Sequence, residues 1–162
     1  MKVKYVIGDA TRPQGDGTKI ICHICNNIGA WGAGFVLAVS KRWDEPEESY
    51  RDMNPEDRKL GSVMVIPVED DILVANMIAQ QGIYPDDSGL PPIRYTAVRA
   101  ALTAVNDLAV KINATLHMPR IGCGLAGGRW DDIEKIIKDV VTVDVTVYDL
   151  KSNINTPNKK IK

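Results

Sequence analysis

The segment that decides the fold is Thr115–Trp130, whose sequence is TLHMPRIGCGLAGGRW. Its apolar first half, Thr115–Ile121, has the composition of a buried strand. Four glycines follow within Gly122–Gly128, and Asp131–Val141 then has helical spacing. A strand that passes through a glycine-rich loop into a helix is typical of α/β proteins.

A second junction of the same kind lies near the start of the chain. Lys19–Cys25 is an apolar run that predicts a strand, and Phe35–Trp43 has helical spacing. Between them, Gly29–Gly34 has the sequence GAWGAG. Both glycine loops are therefore expected at the carboxyl ends of strands, where open α/β sheets bind their ligands.

The two junctions suit an anionic ligand for physical reasons. A helix N-terminus presents unpaired N–H groups and about half a positive charge, so it can hold a pyrophosphate without lysine. Glycine lets the backbone approach phosphate oxygens closely and allows φ > 0. For either loop taken alone, a tight structural turn is the favoured explanation, because neither loop matches a dinucleotide or nucleoside-triphosphate fingerprint.

The other strands complete a mixed sheet. Val3–Ile7 predicts a strand that, like Lys19–Cys25, is expected in the interior of the sheet, and Val143–Leu150 predicts the closing strand. Ser62–Val68 and Ile72–Ala79 are separated by three acidic residues and predict a hairpin. The order of elements indicates a mixed sheet of about six strands with helices on both faces.

Two further helices are expected. Pro46–Met53 predicts a short surface helix, and Ile93–Ile112 predicts the longest helix of the chain. The apolar face of the longest helix is expected to contain Ile93, Ala97, Ala100, Ala101, Ala104, Leu108 and Ile112. Residues 1–150 are thus predicted to form one domain, and the polar, basic residues 151–162 a flexible tail.

Composition and charge restrict the classes of ligand. The chain is 44% hydrophobic and 25% charged, which is typical of a folded globular protein. Its formal charge is −1, but four lysines lie in residues 151–162, so residues 1–150 hold 16 basic against 21 acidic residues, a charge of −5. Because a nucleic-acid-binding protein usually shows a basic cluster, we expect a compact anionic ligand held mainly by backbone amides.

The cysteines indicate neither disulfides nor a metal site. Cys22, Cys25 and Cys123 are three in number and no signal peptide precedes them, so free thiols and a cytoplasmic location are expected. Cys22 and Cys25 should point to opposite faces of their strand, which disfavours a zinc site with Cys123 and His117. No cofactor, no metal, no membrane contact and a monomeric state are predicted; no apolar run approaches the length of a membrane span.

Three segments, in this order, resemble the macrodomain family. They are VIGDAT at Val6–Thr11, HICNNIGAWGAG at His23–Gly34 and MPRIGCGLAGGRW at Met118–Trp130. The resemblance covers about residues 1–150. It is closest to the branch that contains ADP-ribose-1''-phosphate phosphatases and terminal ADP-ribose-protein hydrolases. It implies a three-layer α/β/α macrodomain that binds ADP-ribose or a derivative across the crest of the sheet.

The resemblance also implies a role for each segment. Asp9, with the backbone of Ala10, would contact the adenine amino group, and Asn26 would position the distal ribose. The first glycine loop would bind phosphate, and the second would surround the pyrophosphate and distal ribose. The complete set of predicted ligand-binding residues is Gly8, Asp9, Ala10, Thr11, Asn26, Asn27, Trp31, Gly32, Ala33, Gly34, Ile121, Gly122, Cys123, Gly124, Leu125, Ala126 and Gly127.

His23 and Asn26 are the predicted catalytic residues. His23 matches a histidine of the phosphatase branch, and its near-neutral pKa would suit proton transfer to a leaving ribose oxygen. The alternatives are ordinary structural roles: a packed core histidine, and turn residues at Asp9, Asn26 and Asn27. Acidic residues in the loop Tyr84–Gly89 could approach the distal ribose, although a solvated turn is favoured there.

Two departures from the family pattern narrow the expected reaction. Hydrolases of this branch use a lysine near the end of the fourth strand and an aspartate in the second glycine loop. Here these neighbourhoods contain Gln80, Gln81 and Ala126, which can neither form a Schiff base nor move a proton. We therefore expect hydrolysis of ADP-ribose-1''-phosphate, with a non-catalytic reader of ADP-ribosylated macromolecules, de-ADP-ribosylation or O-acetyl-ADP-ribose deacylation as alternatives.

Overall fold

The computed structural model describes residues 1–151. Its strands are β1 Val3–Ile7, β2 Thr18–Asn26, β3 Val63–Glu69, β4 Ile72–Gln80, β5 Ala114–Met118 and β6 Val145–Asp149. Its helices are α1 Phe35–Arg42, α2 Glu45–Arg51, α3 Tyr95–Ile112 and α4 Trp130–Val140. The predicted flexible tail lies outside the described residues, except for Lys151.

The sheet has six strands in the order β1-β6-β5-β2-β4-β3, so the predicted mixed sheet is confirmed. The pairs along β1, β6, β5, β2 and β4 are parallel, and β3 pairs antiparallel with β4 as the expected hairpin. Because the five parallel strands run in one direction, their carboxyl ends share one edge of the sheet. The loops that follow β1, β2, β5 and β6 therefore emerge side by side.

The expectation that β1 lies inside the sheet is wrong. Within residues 1–151, this strand is an edge strand and pairs only with β6. Tyr5 and Ile7 expose 40% and 59% of their surface. A short apolar run predicts that a strand forms, but it does not say whether hydrogen-bonding partners lie on one side or on both.

Two apolar cores, one on each face of the sheet, make the three layers. The larger core packs α3 and α4 against one face, and it includes Ile20 and Cys22 of β2. The smaller core packs α1 and α2 against the opposite face, and it includes Ile21 and Cys25. The alternation along β2 thus places the two cysteines on opposite faces, as expected from the strand period.

The buried face of α3 is rotated from the predicted one. Ala97 and Ala101 are buried as expected, but Ala100 and Ala104 are exposed. The positions that replace them in the core are Val98, Leu102, Val105 and Ala109. Small alanines fit a helix on any face, so they are weak markers of its buried side. Within residues 1–151, no helix is both long and apolar enough to cross a membrane.

Leu102 tests the rotated face of α3. Its side chain is fully buried in the larger core, so Leu102→Ala should lower the free energy of unfolding by about 2–5 kcal/mol. Val110→Ala on the same helix is the matched control, because Val110 is 58% exposed; its effect should stay within about 0.5 kcal/mol. Urea denaturation measures both variants, and equal losses would contradict the orientation of the helix.

Candidate functional site

A cleft of about 840 Å³ lies at the carboxyl edge of the parallel strands. The segment after β1, the start of α1, the loop between β5 and α4, and the end of β6 form its walls. This volume is in the range of sites for small organic ligands. The lining residues are Gly8, Asp9, Ala10, Thr11, Arg12, Phe35, Leu37, Ala38, Lys41, Arg42, Pro119, Arg120, Cys123, Gly124, Gly128, Arg129, Trp130, Asp131, Tyr148, Asp149 and Leu150.

The second glycine loop, Gly122–Gly128, is a closed turn of backbone. The N–H of Gly128 donates to the carbonyl of Gly122 at 2.7 Å, and the N–H of Gly127 donates to Gly124 at 3.1 Å. Outside the loop, the N–H of Ile93 donates to the carbonyl of Ala126 at 3.0 Å. The loop is thus fixed at both ends before α4 begins.

Glycine is required in this loop for two separate reasons. Gly122 and Gly127 have φ of 74° and 77°, a conformation that other residues rarely adopt. Gly128 is limited by space, because a Cβ there would lie 2.5 Å from the carbonyl oxygen of Gly122. The closure therefore depends on the absence of side chains.

Asn26 organises the first glycine loop, Asn27–Gly34, with its side chain. Its Oδ1 accepts hydrogen bonds from the N–H groups of Ile28 and Ala30, at 3.0 and 3.1 Å, and from the Tyr50 hydroxyl at 2.7 Å. Its Nδ2 donates to the carbonyl of Ala30 at 2.8 Å. Asn26 is only 7% exposed. The structure therefore shows the turn-forming role that was the alternative to contact with a ribose.

The two glycine loops meet over the sheet. A Cβ at Gly34 would lie 3.9 Å from Cδ1 of Leu125, which is 70% exposed. In the part of the chain that the structure describes, the N–H groups of Gly32, Ala33, Gly34 and Phe35 donate to no protein acceptor, and neither do those of Gly124, Leu125 and Ala126. The two loops thus approach each other at Gly34 and Leu125, and each contains backbone amides without a protein acceptor.

Asp9 forms a turn and also lines the cleft. Its Oδ1 accepts the N–H and the hydroxyl of Thr11, at 2.8 and 2.7 Å. The N–H of Arg12 donates to its carbonyl at 2.9 Å. Within residues 1–151, Oδ2 has no hydrogen-bond partner. The turn thus holds the carboxylate in one orientation while leaving an oxygen for a ligand.

The wall of the cleft carries more positive charge than the sequence suggested. Five basic residues line it, Arg12, Lys41, Arg42, Arg120 and Arg129, against the acidic residues Asp9, Asp131 and Asp149. Arg120 pairs with Asp149 through two contacts of 2.8 and 2.9 Å, and Arg42 contacts Glu69 at 3.1 Å. Arg12, Lys41 and Arg129 form no ion pair among the described residues. Basic side chains therefore line the cleft in addition to backbone groups.

The predicted ligand-binding residues divide into two groups. Those that line the cleft are Gly8, Asp9, Ala10, Thr11, Cys123 and Gly124. Those outside its lining, in β2 or the two loops, are Asn26, Asn27, Trp31, Gly32, Ala33, Gly34, Ile121, Gly122, Leu125, Ala126 and Gly127. Asn27 connects its loop to the end of β4: its Nδ2 donates to Gln81 at 3.2 Å, and its Oδ1 accepts the N–H of Gly82 at 2.9 Å.

His23 lies inside the protein and does not line the cleft. It is 1% exposed, its Nε2 is 2.5 Å from Oδ1 of Asn76, and its ring packs edge-on against Trp31. Burial lowers its pKa to about 4, although the hydrogen bond with Asn76 opposes this shift. A neutral, enclosed imidazole fits the core role that was the alternative to catalysis, so the structure does not support His23 as a proton donor.

The sequence signals missed the contribution of α1 and of the end of β6. Leu37, Ala38 and Lys41 line the cleft from α1, and Tyr148 and Leu150 line it from the end of β6. Lys41 and the basic residues of the other walls come from distant segments, so no local cluster indicates them. The periodicity of Phe35–Trp43 shows one buried face, but the opposite face has the pattern of an ordinary solvated surface.

Comparisons with solved structures agree with this architecture. A protein of unknown function from Bacteroides thetaiotaomicron is 53% identical, with a TM-score of 0.89, over 93% of this chain and 99% of that one. A macrodomain protein from Streptomyces coelicolor is 46% identical, with a TM-score of 0.79, over 91% and 99%. No protein-family model matches the chain.

Curated relatives are more distant. A Danio rerio chromodomain-helicase-DNA-binding protein 1-like is 36% identical over 84% of this chain, which spans only 14% of that protein. The ADP-ribose 1''-phosphate phosphatase of Lodderomyces elongisporus is 23% identical over 91% of this chain and 98% of its own length. The ADP-ribose glycohydrolase OARD1 of Bos taurus is 29% identical over 92% of both proteins.

Closure of the second glycine loop can be tested at Gly128. Gly128→Ala would place a methyl group against the Gly122 carbonyl and break the closing hydrogen bond, so it should cost about 1–3 kcal/mol of stability. Gly124→Ala is the matched control, because a Cβ there meets no atom within 4 Å. Urea unfolding compares the two; a stable Gly128→Ala protein would show that the closure is dispensable.

Proposed function

Because the chain belongs to the macrodomain family, we propose that its cleft binds ADP-ribose and that the protein hydrolyses ADP-ribose-1''-phosphate to ADP-ribose and phosphate. One observation carries the binding proposal. The backbone amides of Gly32–Phe35 and Gly124–Ala126 have no protein acceptor among residues 1–151, and the two loops that contain them approach each other beside a cleft that also contains the Asp9 carboxylate. A ligand that joins adenosine to a diphosphate needs backbone amides that bind its phosphates. It also needs a separate hydrogen-bond acceptor nearby for the adenine base.

Adenine recognition is assigned to Asp9. A carboxylate oxygen accepts hydrogen bonds but donates none, so Oδ2 would select the 6-amino group of adenine over a 6-keto group. The bonds from Thr11 fix the direction of this oxygen relative to its own turn. The hydrogen bond would be charge-assisted and hence stronger than one between neutral groups.

The diphosphate would lie between the two glycine loops. Helix α1 begins at Phe35 without a side-chain cap, so the positive end of its dipole is available to phosphate oxygens. Arg12, Lys41 and Arg129 line the same cleft and would add attraction at longer range. This arrangement needs no metal ion to neutralise the ligand.

The named relatives support hydrolysis at the distal ribose. The phosphatase and the glycohydrolase both align over almost their whole length with this chain. The lysine and aspartate expected for the glycohydrolase are replaced by Gln80, Gln81 and Ala126. We therefore favour the phosphatase reaction over cleavage of an ADP-ribosyl bond to a macromolecule.

The reaction would depend on charge neutralisation by the loops. Water adds to phosphorus and releases one proton to solvent, the bond from phosphorus to the anomeric oxygen breaks, and that oxygen takes a proton from solvent. Backbone amides that contact the transferring group stabilise the charge of the transition state. His23 has no part in this step, because its ring is enclosed by Trp31, Phe35 and Asn76.

A non-catalytic reader of ADP-ribosylated macromolecules is the second candidate. It is favoured by the internal hydrogen bonds of three polar residues of the segment that the resemblance connects with the distal ribose and catalysis. Asn26 closes its own loop, Asn27 bonds to the end of β4, and His23 bonds to Asn76. A site that lacks a poised acid or base can bind a ligand without converting it.

Binding and the assignment of Asp9 are tested by calorimetric titration with ADP-ribose. Asp9→Ala should weaken binding by about 10- to 100-fold, because it removes a hydrogen bond to a charged group. Asp16→Ala is the matched control, since Asp16 lies in the same segment, is exposed and does not line the cleft; its affinity should equal that of the wild type. Equal affinity in all three proteins would refute the adenine assignment.

Turnover is tested by the release of inorganic phosphate from ADP-ribose-1''-phosphate. The wild type should release phosphate, and His23→Asn should retain this activity, once a thermal melt shows that the variant is folded. A catalytic histidine would instead lose about 10²–10⁴-fold on substitution. Binding of ADP-ribose without any release of phosphate would favour the reader.

A further inference from the structure

A continuous line of hydrogen bonds leads from the buried sheet to the loop that contains Asp9. The Thr115 hydroxyl is 2.7 Å from Nε2 of His117, and Nδ1 of His117 is 2.7 Å from the hydroxyl of Tyr148. That hydroxyl accepts the backbone N–H of Gln14 at 2.8 Å. We call these four residues the Tyr148 tether.

The inner part of the tether is enclosed. His117 and Tyr148 are 2% and 3% exposed, so water cannot replace their hydrogen bonds. Burial, with the charges of Lys19 and Lys4, lowers the pKa of His117 to about 4, so its ring is neutral near pH 7. A neutral imidazole donates from one nitrogen and accepts at the other. The Tyr148 hydroxyl can then donate to Nδ1 while it accepts from Gln14, and Nε2 donates to Thr115.

Among the described residues, the tether provides one of the two hydrogen bonds that join residues 8–17 to β6, and Ala10 and Thr11 between them are buried. Residues 8–17 connect β1 to β2, and β1 is an edge strand with one partner. The Gly8 N–H donates to the carbonyl of Asp149 at 2.9 Å, so Gly8 and Gln14 are attached to adjacent residues of β6. Asp9 and its turn lie between these two attachments.

The contact with Tyr148 is also steric. A Cβ at Gly8 would lie 3.4 Å from the ring of Tyr148 and 3.1 Å from the side-chain amide of Gln14. The ring, the glycine and the glutamine therefore pack closely, and Tyr148 also lines the cleft. Loss of the hydroxyl would leave this packing intact while it releases the Gln14 end of the segment.

We propose that Tyr148, held in place by His117, is a positioning residue that sets the selectivity of the cleft for adenine. The inference rests on the proposed function, because it assumes that Asp9 contacts the base. A carboxylate distinguishes an amino from a keto group only if its direction is fixed. If the segment is attached at one end only, the Asp9 carboxylate can change its direction. The cleft would then bind a base with a 6-keto group as well as adenine.

The test compares the affinities for ADP-ribose and for its hypoxanthine analogue, which carries a keto oxygen in place of the 6-amino group. Calorimetry on the wild type should show a preference for ADP-ribose of about tenfold or more. Tyr148→Phe should weaken ADP-ribose binding and reduce this preference to about threefold or less. His117→Asn should shift the preference in the same direction.

Tyr5→Phe is the matched control. It removes a tyrosine hydroxyl that bonds to Glu134 and Trp130 but not to residues 8–17. Its preference for adenine should equal that of the wild type. Thermal melts of all variants establish that they are folded, and hydrogen exchange should be faster at the Gln14 amide in Tyr148→Phe but not in Tyr5→Phe.

The outcomes separate the two hypotheses. If the wild type prefers ADP-ribose and Tyr148→Phe keeps the same preference, the positioning role is refuted while the binding function stands. If the wild type binds both compounds equally, the adenine assignment and the role of Tyr148 are both wrong. If the wild type binds neither compound, the proposed function fails, and the role of Tyr148 in base selectivity falls with it.

Discussion

The hydrogen bond from the Gly128 N–H to the Gly122 carbonyl is the contact on which the geometry of the cleft depends. This bond closes the turn in which the chain reverses its direction between β5 and α4. A side chain at Gly128 would occupy the same space as this bond. The turn also leaves the amides of Gly124–Ala126 unpaired among the described residues, so one constraint both shapes the loop and supplies its donors.

The first glycine loop is also held in shape by hydrogen bonds, but side chains make them instead of the backbone. The Asn26 side-chain amide bonds to three groups of the loop and to Tyr50, whose hydroxyl also accepts the N–H of Gly29. Asparagine serves here because one planar amide both accepts and donates. Because these contacts use most of the hydrogen-bonding capacity of the Asn26 amide, little of it remains for a ligand. The contribution of Asn26 is thus to position the backbone of this loop.

The sequence predicted the fold better than the walls of the site. Strand and helix periods identified the elements, and the glycine loops marked the edge where the cleft lies. The edge position of β1 was missed, because apolar runs carry no information on pairing partners. Lys41 and Arg129 were missed because residues distant in sequence converge only in the folded chain. His23 is a polar residue inside a core, and a sequence does not show whether such a residue faces a cavity.

The chemistry of the leaving group decides what such a site can catalyse. An anomeric hydroxyl is more acidic than an ordinary alcohol because the ring oxygen withdraws electrons, so its oxygen leaves phosphorus without full protonation. Phosphoryl transfer then requires chiefly positioning and donors for the phosphate oxygens. Unpaired amides at two loops meet that requirement. Cleavage of a bond between ribose and a macromolecule makes a greater demand on a proton donor, and the neighbourhoods that the sequence resemblance assigns to such a donor contain Gln80, Gln81 and Ala126. The reaction proposed for this protein would therefore depend on fixed dipoles of the two loops more than on a side-chain acid.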